Sequence, residues 1–344
     1  MNNSELKDLV RPNIMRMAPY SCARSEFKGD ARVFLDANEN PYGVYNRYPD
    51  PLQVAIKEKI AALKGVRPGQ IMLGNGSDEP IDLIYRIFCR PGVDNVVAIE
   101  PSYGMYRVAA DTNDVEYRTA MLSADFGFDA DALLSEADSN TKVAWLCSPN
   151  NPTGNSLPEA QVRKVLEEFG GIVVIDEAYI DFASQPGWLQ ELDSHPRLIV
   201  LQTFSKAWGL AGVRCGMAFA SEEAISIFNK VKYPYNVNTL TQEEVGRALD
   251  RADDVRRRVN EILAERDRVV KGLESLKIIR HVYPTDANFV LVRVDDADAA
   301  YRALLADGIV TRNRNRVSLC AGCIRITIGT PAENDELLSK LKAL

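Results

Sequence analysis

Short apolar runs recur through the first two-thirds of the chain, at residues 96–99, 143–147, 172–175, 198–201 and 216–220. Most are rich in Val, Ile and Leu, too short for a buried helix and followed by turn formers. Each therefore predicts a strand buried on both faces. Longer stretches of mixed polarity separate them and read as helices. That alternation predicts an α/β architecture with a mostly parallel sheet covered on both sides. Near residue 239 the texture changes. Residues 241–275 are dense in charge with apolar positions at helical spacing, which predicts one long amphipathic helix crossing between domains. Beyond it, residues 289–294, 309–311 and 324–328 read as strands of a smaller α+β domain, with residues 301–306 helical. The expected organisation is an N-terminal arm over residues 1–35 that packs on the small domain, a large domain over 36–238 and a small domain over 239–344.

Composition narrows the class. A chain of 344 residues suits one large and one small domain. Its 46% hydrophobic and 26% charged content is that of a soluble globular enzyme. The net charge of -7 argues against nucleic-acid or anionic-membrane partners. No apolar run approaches membrane-spanning length, and the polar start at residues 1–5 lacks a signal peptide's apolar segment, so a cytoplasmic location is expected. Six cysteines (22, 89, 147, 215, 320 and 323) are scattered, as reduced thiols would be. Cys320 and Cys323 form a C-x-x-C. A zinc site needs about four ligands, yet the other cysteines are distant in sequence and the only histidines are His195 and His281. No metal is expected.

The chemistry concentrates in one segment. Ser205-Lys206 follows the apolar run at 198–201, with small and glycine residues after it and Arg214 eight positions on. A lysine at a strand end forms a Schiff base with a carbonyl when its amine is unprotonated. The neighbouring hydroxyl and planar guanidinium suit a phosphate. Upstream, the run at 172–175 ends in Asp176, with Tyr179 three residues on. A carboxylate there is costly unless it meets a cation, and a protonated pyridine nitrogen is such a cation. The run at 143–147 leads into a turn-forming cluster that holds Asn151. Alone, Lys206 reads as a surface lysine, Asp176 as a helix cap and Asn151 as a turn residue. Together they point to pyridoxal phosphate. Gly74 to Pro80 is a donor-rich turn before an apolar helix, where free amides favour an anion and Ser77 and Asp78 are good caps.

These motifs resemble fold-type I pyridoxal phosphate aminotransferases, and among them the histidinol-phosphate aminotransferase family. The resemblance runs along nearly the whole chain, through Asn38-Glu39-Asn40-Pro41, Arg47-Tyr48-Pro49, Gly74 to Glu79, Pro101-Ser102-Tyr103, the Asn151 turn, Asp176 to Tyr179, Ser205 to Arg214 and Cys323 to Thr327. It implies a seven-stranded, mostly parallel sheet in the large domain. It implies that Gly76, Ser77, Asp78, Ser205 and Arg214 hold the cofactor phosphate, and that Tyr103 stacks on the pyridine ring. Asp176 would meet the ring nitrogen, while Asn151 and Tyr179 would bond the ring oxygen. Tyr48 would reach the phosphate from a neighbouring subunit, making a homodimer with shared sites.

The implied reaction exchanges the amino group of histidinol phosphate with the oxo group of 2-oxoglutarate, yielding imidazole-acetol phosphate and glutamate. Lys206 would anchor the cofactor and move the substrate proton. Arg325 and Arg312 are the candidate substrate arginines, with Tyr20 and Asn38 also expected at the pocket. Arg312, Arg314 and Arg316 alternate with Asn313 and Asn315, so in a strand all three arginines share a face. A solvated charged face is the alternative for Arg314 and Arg316. Near relatives with the same lysine and aspartate include aromatic amino-acid aminotransferases and a threonine-phosphate decarboxylase. A non-catalytic ligand-binding regulator of the same fold is the remaining class. The intact Lys206 and the lack of a basic DNA-binding segment speak against it.

Overall fold

The computed structural model describes residues 5–21, 23 and 32–344. The large sheet has seven strands: β1 (Ile71–Asn75), β2 (Asn95–Glu100), β3 (Glu116–Met121), β4 (Thr141–Cys147), β5 (Ile172–Asp176), β6 (Leu198–Thr203) and β7 (Cys215–Ala220). Their spatial order is β1-β7-β6-β5-β4-β2-β3. Only β7 runs antiparallel to its neighbours. The period of two along each strand divides its side chains between two cores. Val97, Ala144, Leu146, Val173 and Ile175 enter one cluster, while Val96, Val143, Trp145, Ile172 and Val174 enter the other. Helices Val54–Lys64 and Glu159–Glu168 cover the first face. Helices Asp78–Phe88, Met105–Thr112 and Glu222–Val231 cover the second. Two strands were not anticipated, β1 and β3. β3 lies at the sheet edge with mostly partly exposed side chains, so it lacks the continuous apolar run of a central strand.

A second, antiparallel sheet has the order β10-β11-β9-β8, from β8 (Ile279–Val282), β9 (Phe289–Val294), β10 (Arg312–Asn313) and β11 (Cys323–Thr327). Helices Ala297–Ala306 and Pro331–Lys342 complete its core. The expected strand at 309–311 is not formed. Ile309 N–H bonds back to Leu304 O at the end of the preceding helix, and pairing with β11 starts only at Arg312. The single helix expected over 241–275 is two, Thr239–Leu249 and Ala252–Glu274. Arg251 leaves the helical region at φ -120 and ψ 34, and the adjacent Asp250 carboxylate is drawn to Lys59 at 2.6 Å. The second helix carries Val255 and Val259 into a large-sheet core, and Val269 and Leu273 into the small-sheet core.

The arm also departs from expectation. Leu6, Val10 and Ile14 are buried in the second large-sheet core, not against the small sheet. Helices Asp78–Phe88 and Glu222–Val231 hold the arm there: Arg11 N–H donates to Ile87 O (2.9 Å) and Lys230 Nζ to Met15 O (2.8 Å). Residues 1–4, 22 and 24–31, Cys22 among them, lie outside the described residues. Among the described residues, no helix is long and apolar enough to cross a membrane.

Candidate active site

The C-terminal ends of β4, β5 and β6 open on a cavity of about 900 Å³. That edge is where parallel α/β sheets gather ligands. Lys206, Asp176, Asn151, Tyr179 and Tyr103 all line it. Ser77, Asp78, Ser205 and Arg214 line it too, and the small sheet contributes Arg312 and Arg325.

Lys206 sits in the tight turn that follows β6, where Thr203 Oγ1 accepts the Ser205 N–H (3.1 Å) and Gly209 N–H returns to Lys206 O (3.0 Å). Its ammonium opens onto the cavity 5.5 Å from the centre of the Tyr179 ring. Partial burial lowers its pKa, the Arg325 charge lowers it further, and Asp176 and Asp78 oppose both. The amine is thus biased toward the unprotonated form that nucleophilic and base chemistry need.

Asp176, the last residue of β5, is 2% exposed. It accepts from Tyr106 Oη (2.6 Å) and Ala178 N–H (3.0 Å). Burial pushes its pKa up in spite of these bonds. A carboxylate so placed is short of a cation. An anion cradle lies nearby. Arg214 has φ +55, and its guanidinium folds back over Gly76, whose φ is +73. A Cβ at Gly76 would run into that guanidinium, and one at Gly216 into the Gly76–Ser77 backbone. Ser77 precedes the helix Asp78–Phe88 but makes no side-chain cap bond, contrary to expectation. Asp78 instead turns its carboxylate to Tyr103 Oη (3.2 Å) and Arg214 (3.4 Å). The Ser77 hydroxyl, the first helical amides, Ser205 and Arg214 therefore fit a phosphate. A buried acid wanting a cation, an amine biased neutral and this cradle together fit pyridoxal phosphate.

Asn151 joins the two sheets. Its Oδ1 accepts from Arg325, and its Nδ2 donates to Tyr179 Oη at 3.5 Å. Arg325 lies over Phe289, 5.1 Å from the ring centre. Asn313 and Asn315 both turn to Asp298, at 2.6 and 3.1 Å, and the alternating Arg312, Arg314 and Arg316 face the cavity. Three expected residues are elsewhere. Asn38 and Tyr48 line a separate cavity of about 470 Å³, and Tyr20 is 73% exposed. In a single chain they do not meet Lys206. The C-x-x-C thiols are both buried, and burial drives both pKa values up, Cys320 to about 12.

Two residues of this region escaped the sequence reading. Glu177, also buried, accepts from Trp188 N–H (2.6 Å) and Gln202 Nε2 (2.8 Å), and burial pushes its pKa up to about 7. It ties the loop at 187–188 to the sheet. Tyr106 is the second. It is fully buried, stacked on Trp145 at 4.7 Å and edge-on to Tyr103 at 5.5 Å. Burial, then the Asp176 charge, keeps its hydroxyl protonated, so it is a donor. No local pattern in the sequence marks it, because its partner Asp176 lies 70 positions away. Tyr106→Phe keeps the ring packing and removes one hydrogen bond to a carboxylate, worth about 1.5–3 kcal/mol. Cofactor affinity and kcat/KM should fall about 10–100-fold. The pH at which the bound cofactor's absorbance titrates should also move. An unmoved titration would make Tyr106 a packing residue only.

The aminotransferase class I and II family model matches residues 26–341. A histidinol-phosphate aminotransferase of Parabacteroides distasonis is 59% identical over 339 residues, 98% of each chain. Among solved structures, the Clostridium acetobutylicum histidinol-phosphate aminotransferase overlays with TM-score 0.80 at 24% identity, covering 89% of this chain and 97% of that one. The Sinorhizobium meliloti histidinol-phosphate aminotransferase, solved with pyridoxal-5'-phosphate, overlays with TM-score 0.77 at 25% identity over 86% and 82% of the two chains. A lysine and a buried aspartate at adjacent strand ends, on a fold and a sequence shared over nearly the full length, leave one placement: the chain belongs to the class I and II aminotransferases, in their histidinol-phosphate aminotransferase family.

Proposed function

We propose that the protein transfers the amino group of histidinol phosphate to 2-oxoglutarate, yielding imidazole-acetol phosphate and glutamate, with pyridoxal phosphate as its cofactor. The observation that carries this reading is a lysine set between two anion sites. The Arg214 cradle belongs to the large sheet, and Arg312 and Arg325 come from the small one. One site suits a cofactor phosphate. The other suits a substrate phosphate or carboxylate, since either accepts the two-pronged guanidinium.

When bound, pyridoxal phosphate supplies an aldehyde that condenses with amines and a ring that takes up the electrons released at the substrate Cα. Lys206 Nζ holds the cofactor between turnovers and takes the Cα proton during them. Asp176 offers its carboxylate to the ring nitrogen, and Tyr106 and Ala178 N–H fix the orientation of that carboxylate. Gly76, Ser77, Asp78 N–H, Ser205 and Arg214 hold the cofactor phosphate, and Tyr103 flanks the ring. Asn151 and Tyr179 orient the ring oxygen, while Arg325 positions the substrate anion against them.

Tyr48, Asn38 and Tyr20 complete the site from a second copy of the chain. This part rests on their distance from Lys206 and on a run of exposed apolar side chains around them: Leu35 (91% exposed), Tyr42 (83%) and Val44 (88%). Such a patch is buried in an interface. The prediction is complementation. Mixed dimers of Lys206→Ala with Tyr48→Phe should regain one intact site and more activity than either homodimer. Activity no higher than the Tyr48→Phe homodimer alone would place Tyr48 in its own chain's site. We assign the enzyme to the cytoplasm, in keeping with five buried, unpaired thiols among the described residues.

The reaction is tested by mixing the cofactor-loaded protein separately with histidinol phosphate, phenylalanine and threonine phosphate, without keto acid. Fast amination of the cofactor, read by its absorbance, is expected with histidinol phosphate. Preference for phenylalanine would move the enzyme to the aromatic branch. Release of carbon dioxide from threonine phosphate would make it a decarboxylase.

A further inference from the structure

We propose that Arg314 is a third anion ligand of the substrate pocket and sets its preference for a phosphate dianion over a carboxylate. The inference rests on the transaminase reading above and deepens its substrate side.

Arg314 is half-buried and faces the cavity beside Arg312 and Arg325. Its backbone is pinned, because its N–H donates to Cys323 O (2.9 Å) just past the end of β10 and Val317 N–H returns to Arg314 O (2.9 Å). Flanking Asn313 and Asn315 are both held by Asp298, so the side chain is directed inward by its neighbours. Among the described residues, no carboxylate forms an ion pair with Arg312, Arg314 or Arg325. Nε of Arg314 and Nε of Arg325 are buried without a hydrogen-bond partner. A native interior rarely leaves such donors unpaired unless a ligand takes them.

The electrostatics agree. Burial lowers the Arg314 pKa to about 10, with Arg325 and then Arg312 adding to the effect. Like charges gathered without a counterion repel one another, and an anion in their midst relieves all three at once. A phosphomonoester dianion suits this place better than a carboxylate for two reasons. It carries twice the charge, so each added guanidinium attracts it about twice as strongly. It also has three terminal oxygens, where a carboxylate has two. Arg312 and Arg325 are enough to fill a carboxylate's oxygens, and a third arginine finds an open one only on the phosphate.

The test uses the cofactor-loaded enzyme with Arg314→Gln and Arg314→Lys, and Arg316→Gln for comparison. Half-reactions with histidinol phosphate and with glutamate are followed separately, and inorganic phosphate is titrated as an inhibitor of the glutamate half-reaction. Arg314→Gln should weaken histidinol phosphate about 10–100-fold, and glutamate by a clearly smaller factor. It should weaken phosphate inhibition in parallel with histidinol phosphate. Arg314→Lys should recover part of the loss, as a point charge without the fork. Equal losses for both substrates, or none, would overturn the proposal. If the unaltered enzyme fails to take an amino group from histidinol phosphate, the substrate reading fails. The phosphate titration then decides Arg314 separately: reduced inhibition in Arg314→Gln upholds it as an anion ligand, and unchanged inhibition removes it.

Discussion

Lys206→Ala is expected to lower turnover by about 10⁴-fold or more, the upper range for a positioned acid–base group, with the covalent anchor lost as well. The neighbouring cations are arginines, which stay protonated, and Tyr179 and Tyr103 have pKa values pushed up by burial. The fold should be unaffected, because Lys206 lies in a turn and its ammonium makes no ion pair among the described residues. Cofactor binding should remain measurable through the Arg214 cradle. Single-turnover spectra and steady-state assays separate the two effects. Multiple turnover within tenfold of the unaltered enzyme would remove Lys206 from the chemistry.

Asp176→Asn is expected to show a second and opposite pair of effects. With cofactor bound, kcat/KM should fall about 10²–10⁴-fold, since removing one partner of a buried charge pair costs about 3–5 kcal/mol. Without cofactor, the same substitution should stabilise the protein at neutral pH. The sign follows from burial. The folded-state pKa of Asp176 lies above its ordinary value, so the folded protein binds a proton more tightly than the unfolded chain. Asp176 therefore makes stability fall as pH rises from the ordinary carboxylate range up to its raised pKa, and the amide of Asp176→Asn lacks that loss. Urea unfolding of the cofactor-free protein at pH 4 and pH 8 should show a gain for Asp176→Asn at pH 8 that shrinks at pH 4. A loss of stability that deepens from pH 4 to pH 8 would mean that the carboxylate already has a cationic partner within the chain. The substituted side chain keeps the shape and can still accept from Ala178 N–H but sets an amide NH2 against Tyr106 Oη. The charge is therefore read from the change between pH 4 and pH 8, in which that pH-independent loss cancels.

Much of this site is legible in the sequence. The strand ends that present Asp176 and Lys206 stand out because a short run of β-branched residues that stops at a polar one is the pattern of a buried strand reaching the sheet edge. The same holds for the Gly74–Pro80 turn, where a glycine at positive φ and a helix start lie side by side in sequence. Tyr106 was not legible. Its hydroxyl reaches Asp176 across 70 positions, and its sequence surroundings are those of any core tyrosine. The position of the arm failed for a similar reason. Leu6, Val10 and Ile14 mark an amphipathic segment, but no local pattern says which apolar face will receive it. The break at residues 250–251 was not legible because neither glycine nor proline marks it, and it shows only in the backbone of Arg251.

The sequence by itself determined the α/β class, the strands of the sheet centre, and the placing of Asp176 and Lys206 at strand ends. These follow from periodicity and burial, which each segment records in its own residues. Only the tertiary structure decided which side chains share the cavity. Arg312, Arg314 and Arg316 came to face the cavity, with Asp298 holding the alternate asparagines and β11 bringing Arg325 beside them. Tyr48 and Asn38 line a different cavity from Lys206. Contacts between distant segments depend on how whole layers stack, and that information is spread over the entire core.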